Sequence, residues 1–587
     1  MKIITNKIEK ENKLYILLDR ENANVLRHNI NVIRSLIDGK RFKNGIWEIN
    51  VTYDNMHALM ALRNDNAQRI IKDIIDCLYK KIMTSNTINN KINYVTKIYP
   101  YKPLSHQVIF TNALISLDTG WCLYFDTGTC KTRIIVDAIY NKFHKCEYTN
   151  RHNYKILVVC PKNVKPVWPI ELKKYSLYKE HDDIIMIEGT KKQREKQFCL
   201  DRKIYIINYD LLTTDKAMLM DINFKAIVFD EIHYVKNISA SRTKSAIEIS
   251  KKCNYVYGLT GTSFSNSELN LFSQAKIINK HIFGDNYYNF SGRYFRSVNT
   301  GIWITPKNNK KKLMLKKYIL KNELREDLYK KISLYSSSLK KSECLDLPER
   351  IYEKRYVSID NKTLSIYRNV KEELKEELRR EGIVNININT GSSKITKLSQ
   401  LCSGFLYNNN NNKDKKVDIK YRVEYVSRFK LLDLINLLEE IGDNKSIIFT
   451  ELIYESYMIE NFLNEKGIDF SIIKSNYKLK ERTDVIDEFK ANKNKKCLIS
   501  NSSLIAEGLT IIEATYSIVY GHTFRPLSRR QMLARNYRYG QKNNVTVIDM
   551  ICKGMIDEYM LNLVNANIES EGNMRNYISV ADLLNSI

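Results

Sequence analysis

From Lys155 onward, short runs that are apolar at every position alternate with stretches of helical periodicity. Residues 156–160 and 226–229 are such runs, and 205–208 is one up to its final Asn208. Continuous rather than alternating hydrophobicity is the pattern of strands buried on both faces of a parallel sheet. A second set begins at Ile447-Ile448-Phe449 and continues through Cys497-Leu498-Ile499, Ile518-Val519-Tyr520 and Val545-Thr546-Val547-Ile548. Two widely separated βαβ systems predict two doubly wound α/β lobes. Between them, roughly over 280–425, the pattern is Lys-rich and mostly helical. It includes the Asn run 408–412, followed by Lys413-Asp414-Lys415-Lys416, which reads as a surface loop.

Ahead of the lobes, residues 26–37 are charged and amphipathic. In Arg41-Phe42-Lys43-Asn44-Gly45-Ile46-Trp47-Glu48-Ile49-Asn50-Val51, the Asn-Gly pair between alternating residues predicts a hairpin turn. A further amphipathic helix is predicted over 56–78. The expected organisation is a small α+β domain at 1–95, a first lobe at 96–280, a helical insertion or linker at 281–425 and a second lobe at 426–587.

Charge adds a partner. Lys and Arg number 94 against 66 Asp and Glu, a net +28. Such an excess favours a polyanion, because each phosphate neutralised releases a condensed counterion; an AT-rich genome also inflates Lys, Asn and Ile. The 11 cysteines are scattered, with no Cys-x-x-Cys pair, which fits a reducing compartment rather than disulfides or zinc. The first residues carry no signal-like apolar core, and no apolar run approaches the roughly 18 residues of a membrane helix. An intracellular protein, cytoplasmic or nucleoid-associated, is expected.

The sharpest chemistry lies in Phe125-Asp126-Thr127-Gly128-Thr129-Cys130-Lys131-Thr132, between the apolar stretch 121–124 and the helical pattern 134–140. Strand, tight loop and helix with Lys-Thr at its start make a phosphate cradle. Gly128, Thr129 and Cys130 offer backbone amides, Lys131 reaches the β/γ oxygens of ATP, and Thr132 holds Mg²⁺. Cys130 stands where such loops have glycine. A side chain there restricts the backbone and crowds the phosphates. Downstream, Ala226-Ile227-Val228-Phe229-Asp230-Glu231-Ile232-His233 ends an apolar strand in two carboxylates. In that position Asp230 binds Mg²⁺ through its water shell, and Glu231 orients and deprotonates the attacking water.

From about Pro103 to the C-terminal region the chain resembles the Swi/Snf-like ATPases of helicase superfamily two. Leu104-Ser105-His106-Gln107 resembles the first motif, whose glutamine reads adenine in that family. Leu157-Val158-Val159-Cys160-Pro161-Lys162, with Trp168 and Glu171, resembles motif Ia, and Ile207-Asn208-Tyr209-Asp210 the next strand-end motif. Residues 230–237 are similar to the Asp-Glu-x-His…Lys-Asn form of motif II. Leu259-Thr260-Gly261-Thr262 with Asn266 resembles motif III, although Ser263 replaces the usual proline. Leu347-Pro348 matches the short element between the lobes.

In the second lobe, Ile447-Ile448-Phe449-Thr450 resembles motif IV. Ser500, with Glu507-Gly508-Leu509-Thr510 and Ala514, resembles motif V. Residues 531–541 are similar to motif VI. There Gln531, Arg535 and Arg538, at i, i+4 and i+7, are expected on one helix face, which suits γ-phosphate charge.

The resemblance implies recA-like lobes with ATP and Mg²⁺ between them. Gln107 and Gly508 join the nucleotide site, and His233, Thr260, Gly261 and Thr262 couple it to movement. Duplex or forked DNA is the implied track. The segment around Trp47, with the helix containing Leu59 and Leu62, resembles the HARP domain of annealing helicases; it also reads as a small accessory fold with Trp47 in its core, or as a docking point for a protein partner. Three functions follow: a DNA translocase that remodels or anneals strands, the motor subunit of a restriction, defence or transcription complex, or a non-hydrolysing nucleic-acid binder suggested by Cys130. The composition points to a phage or virus, and so to a host cell.

Overall fold

The computed structural model describes residues 102–117, 119–143, 154–261, 268–279, 282–284, 286–304, 313–333, 335–380, 392–407, 423–505 and 510–569. Nearer the N-terminus it describes four strands and the single residues Leu59 and Ile71. The strands are β1 (Lys2–Ile4), β2 (Lys13–Leu17), β3 (Lys40–Lys43) and β4 (Ile46–Asn50). They form an antiparallel sheet of order β1-β2-β4-β3. Lys43 pairs with Ile46, so the hairpin expected around Asn44-Gly45 is present. The turn itself and the stretch 26–37 lie outside the described residues. Leu59 and Ile71, from the segment expected as a helix, are fully buried.

The chain divides into two compact units. The first is built on β5 (Trp121–Phe125), β6 (Lys155–Cys160), β7 (Ile184–Met186), β8 (Ile204–Asn208), β9 (Phe224–Asp230) and β10 (Tyr255–Thr260). After the two-stranded pair β11 (Phe295–Ile304) and β12 (Leu313–Leu320), the strand β13 (Ser336–Leu339) joins this sheet. All seven strands run parallel, in the order β13-β5-β10-β9-β6-β8-β7. Residues 121–125 and 156–160 are buried throughout, as a sheet covered on both faces requires. The helices that position the site are α1 (Ser105–Ser116), α2 (Lys131–Phe143) and α3 (Val167–Tyr175).

The second unit carries β14 (Arg350–Val357), the hairpin β15 (Phe405–Tyr407) and β16 (Val423–Tyr425), then β17 (Ser446–Thr450), β18 (Phe470–Ile473), β19 (Cys497–Asn501), β20 (Tyr516–Val519) and β21 (Val545–Cys552). Its main sheet is six-stranded and parallel, ordered β14-β21-β20-β17-β19-β18. Helices α4 (Asn361–Arg380), α5 (Ser392–Cys402) and α7 (Ile556–Glu569) share a core through Tyr367, Leu398, Met555 and Met560; α6 (Pro526–Leu533) precedes β21. The two α/β lobes are therefore as expected.

The segment 281–425 differs from its reading as a mostly helical insertion. It supplies β13 to one sheet and β14 to the other, and its helices α4 and α5 pack in the second unit's core. Its strands escape the apolar-run signal because β13 is Ser-Ser-Ser-Leu and β14 is rich in Arg, Glu and Lys. The Asn run 408–412 lies outside the described residues.

Candidate functional site

In the first unit the sheet order places β10 between β5 and β9, so the C-terminal ends of all three strands are neighbours. Ligands of open α/β sheets bind at that edge. The register pairs Thr260 with Tyr124 and Leu259 with Asp230. The loop that follows Phe125, the carboxylates that end β9 and Thr260 are thereby brought together.

The loop after β5 turns sharply. Gly128 has φ 87° and Cys130 φ 58°, the left-handed region in which glycine is at ease and a side chain is strained. Thr129 is buried, and α2 begins at Lys131. The Lys131 ammonium donates to the carbonyls of Phe125 and Asp126 at 2.9 and 3.1 Å. Burial pushes its pKa down, while Glu231, Asp230 and Asp126 act the other way without reversing the shift. Gln107 is buried on α1; its Oε1 accepts from Leu104 N at 2.8 Å and its Nε2 donates to the Cys130 carbonyl at 3.4 Å. Thr132 is half-buried in the first turn of α2. The loop's outer side is tied to β13. Asp126 N donates to Leu339 O at 3.0 Å, and Asp126 Oδ2 accepts from Lys341 N at 2.9 Å.

Asp230 is held by two donors. The indole N–H of Trp168 reaches its Oδ2 at 3.0 Å, and the Tyr209 hydroxyl reaches its carbonyl at 2.7 Å. Glu231, with φ 57°, turns the chain into a short 3₁₀ turn, Ile232–Val235. His233 Nδ1 lies 3.1 Å from Glu231 Oε2 and 3.2 Å from Thr260 Oγ1. Burial raises the Glu231 carboxyl, but the hydrogen bond and charge of His233, with Lys131 and Thr260, outweigh it and hold the group down at about 2. Glu231 is thus ionised at neutral pH. Gly261 follows β10; Thr262 and Asn266 lie outside the described residues, as does Gly508 of the second unit.

The second unit corrects one expectation. Gln531, Arg535 and Arg538 do not share a helix face, because α6 ends at Leu533 and both arginines follow it in turns. The helix stops because Asn536 is drawn inward. Its side chain accepts from Ser517 Oγ at 3.1 Å and donates to Ala514 O at 3.1 Å, while Arg535 O accepts from Ile511 N at 2.9 Å. Gln541 Nε2 donates to Ile512 O at 2.8 Å and to Asn536 O at 3.0 Å, and Gly540 takes φ 99°. The guanidinium of Arg535 is largely buried, its Nε donating to Gln531 O at 2.9 Å. The motif VI spacing serves a turn stitched to the segment 511–514. Pro348 belongs to the same knot, accepting from the Tyr537 hydroxyl at 3.0 Å.

The donor set at the end of β5, β9 and β10 fits a nucleoside triphosphate with a divalent cation. A strained amide-lined loop, a helix N-terminus, a buried ammonium and two carboxylates meet at one sheet edge. Residues 35–416 match the SNF2-related domain, and residues 429–540 match the helicase conserved C-terminal domain.

The chain belongs to the SNF2-related family.

Similar proteins include an uncharacterised ATP-dependent helicase of Mycoplasma genitalium, 23% identical over 486 residues, which span 82% of this chain and 42% of that protein. A Caenorhabditis elegans homolog of the SWI/SNF-related matrix-associated actin-dependent regulator of chromatin subfamily A-like protein 1 is 23% identical over 431 residues, covering 72% of this chain and 55% of that protein. The SNF2-related chain thus spans about half or less of the length of these relatives. Among solved structures, the Sulfolobus solfataricus SWI2/SNF2 ATPase core in complex with double-stranded DNA is similar at 23% identity and a TM-score of 0.37, over 79% of this chain and 91% of that one.

Two contacts of the SNF2-related site had no sequence signal. Trp168 stands out in the motif Ia segment, but nothing in the order of residues names an acceptor 62 positions away. The Tyr209 hydroxyl on Asp230 is equally silent. Elsewhere in the second unit, Cys402, Cys552 and Asp557 lie with ligand atoms within 4.8 Å of one another. There the buried Lys430 ammonium, 2.8 Å from Asp557 Oδ2, supplies the cation that the carboxylate requires. Among the described residues no helix is long and apolar enough to cross a membrane.

Proposed function

We propose that this SNF2-related chain is an ATP-driven motor that moves along duplex or forked DNA, remodelling or annealing strands. The observation that carries the reading is the meeting of Lys131, Asp230, Glu231, His233 and Thr260 at one edge of a parallel sheet. The net charge of +28 supports a polyanionic track.

ATP supplies the transferable phosphoryl group, and Mg²⁺ supplies neutralisation of its developing charge. Lys131 and the amides of Gly128, Thr129 and Cys130 would hold the phosphates, with Gln107 at the adenine and Gly508 at the nucleotide. Thr132 and Asp230 would hold the metal through its water shell. Glu231 would orient the attacking water. Ionised at neutral pH, with its carboxyl held down by His233 and Lys131, it would also take up the proton that the water gives up. Arg535 and Arg538, with Gln531 beside them, would stabilise transferred charge. His233, Thr260, Gly261 and Thr262 would report the state of the γ-phosphate to the DNA-bound parts.

The finer readings extend this one. Residues 1–95 would act as a HARP-like element that recognises forks or docks a protein, a reading supported by the β3–β4 hairpin with Phe42 opposite Trp47. Residues 96–280 completed by β13, and residues 426–587 completed by β14, α4 and α5, would be the motor lobes. The Lys- and Asn-rich composition supports a phage- or virus-like source and action inside the host cell. A second reading, a nucleotide binder without turnover, is favoured by one observation: the strained Cys130 in the phosphate loop.

Steady-state ATPase of the full chain, alone and with single-stranded, duplex and forked DNA, separates these readings, with Glu231→Gln as control. Stimulation by duplex or forked DNA that falls steeply with salt and vanishes in the control supports the motor. Hydrolysis indifferent to DNA and salt sinks it; nucleotide binding with no hydrolysis on any DNA favours the second reading.

A further inference from the structure

We infer that Trp168 is a positioning residue for Asp230, fixing the carboxylate that would face the divalent metal; this rests on the reading of Asp230 as a metal-site residue. Strand β6 lies beside β9, with Val159 opposite Phe229. The loop leaving β6 therefore emerges next to the end of β9, and α3 starts there. Its second residue, Trp168, is 1% exposed. A buried indole N–H requires an acceptor, and an indole has one N–H to give. Here the acceptor is Asp230 Oδ2 at 3.0 Å.

The donor is itself anchored. Lys165, one turn before Trp168, donates to Ile187 O at 2.7 Å and pairs with Glu188 at 2.9 Å, pinning the β6–α3 loop to the segment after β7. From the other side, the Tyr209 hydroxyl at the end of β8 grips the Asp230 carbonyl at 2.7 Å. Two chain connections thus converge on one residue, one on its side chain and one on its backbone. Aspartate has a single soft torsion beyond χ1, so a donor on one oxygen sets the direction of the other. Groups that orient a carboxylate at a metal are worth 10–100-fold in metal affinity or activity.

The test compares the full-length chain with Trp168→Phe, which keeps a buried ring and loses the N–H. Mn²⁺ binding in the presence of ADP is followed by electron paramagnetic resonance, and the Mg²⁺ dependence of ATPase is measured in parallel. The expected result is a roughly tenfold weaker Mn²⁺ affinity and a matching rise in the Mg²⁺ needed for half-maximal ATPase. ADP binding in EDTA should be unchanged. Tyr209→Phe is the second variant and should shift metal affinity in the same direction by less, since it frees only the backbone side. Unchanged Mn²⁺ affinity in Trp168→Phe overturns the inference, whatever Tyr209→Phe shows. A wild-type chain that binds Mn²⁺ and ADP but hydrolyses nothing sinks the motor instead, and leaves the Trp168 comparison to be read from binding.

Discussion

Cys130 and Glu231 share the same left-handed backbone, at φ 58° and 57°, and no other non-glycine residue among those described does so. One precedes Lys131, the proposed phosphate-binding lysine, and the other is the proposed water-orienting carboxylate. Each such residue costs on the order of 1–2 kcal/mol. That cost persists where surrounding contacts over-determine the conformation, here the Gln107 bond to the Cys130 carbonyl and the Glu231–His233–Thr260 cluster.

Replacing Cys130 by glycine should relieve the first strain. Chemical denaturation is expected to show a gain of about 1 kcal/mol, and titration with ATP should show tighter binding once the side chain no longer crowds the loop. A destabilised Cys130→Gly protein would mean that the thiol packs better than its backbone suggests.

Glu231 carries a pH signature. Its folded carboxyl sits at about 2, below the usual 4.5. A depressed carboxyl stabilises the fold above the unfolded pKa, and that contribution is lost as pH falls through the folded one. The stability difference between wild type and Glu231→Gln should therefore hold from pH 7 to about pH 5 and shrink progressively toward pH 2. Equilibrium unfolding at stepped pH measures it; a difference that collapses already near pH 6 would assign the acid sensitivity to another group.

Lys131 separates stability from binding. Its ammonium is buried between two carbonyls, with its pKa pushed down by burial. Lys131→Met should leave the unfolding midpoint unchanged or raise it, since an apolar side chain of similar length avoids burying charge. The same substitution should weaken ATP binding by about 10–100-fold, the worth of a charge-assisted hydrogen bond. Calorimetric titration beside a denaturation curve reads both.

Asn536 holds the motif VI turn. Asn536→Ala leaves Ser517 Oγ and Ala514 O without that side chain, and should cost about 1–3 kcal/mol. ATPase should fall as well, because Arg535 and Arg538 lose their placement. If hydrolysis is untouched while stability drops, the two arginines do not act through this turn.

Much of this was legible in the sequence, for physical reasons that differ from element to element. Strands such as 156–160 and 226–229 announce themselves because burial on both faces demands apolar residues at every position. The hairpin between β3 and β4 shows because Asn-Gly is the pair that two-residue hairpin connections favour. Gln531, Arg535 and Arg538 misled because helical spacing does not reveal that Asn536 is pulled into the core and ends the helix. Strands β13 and β14 were hidden at sheet edges, where serines and charged residues suffice. Trp168 on Asp230 was hidden by distance along the chain.

The pairing of β13 with β5 has a consequence for how the protein is made. Asp126 and Lys341 are joined across 215 residues, so the loop after β5 finds its outer support only after the ribosome has passed residue 341. Until then β5 is the border of the growing sheet, with a row of unpaired amides and carbonyls open to other chains. A fragment cut at residue 280 would contain the whole loop proposed to bind phosphate, yet it would present that border permanently and invite aggregation.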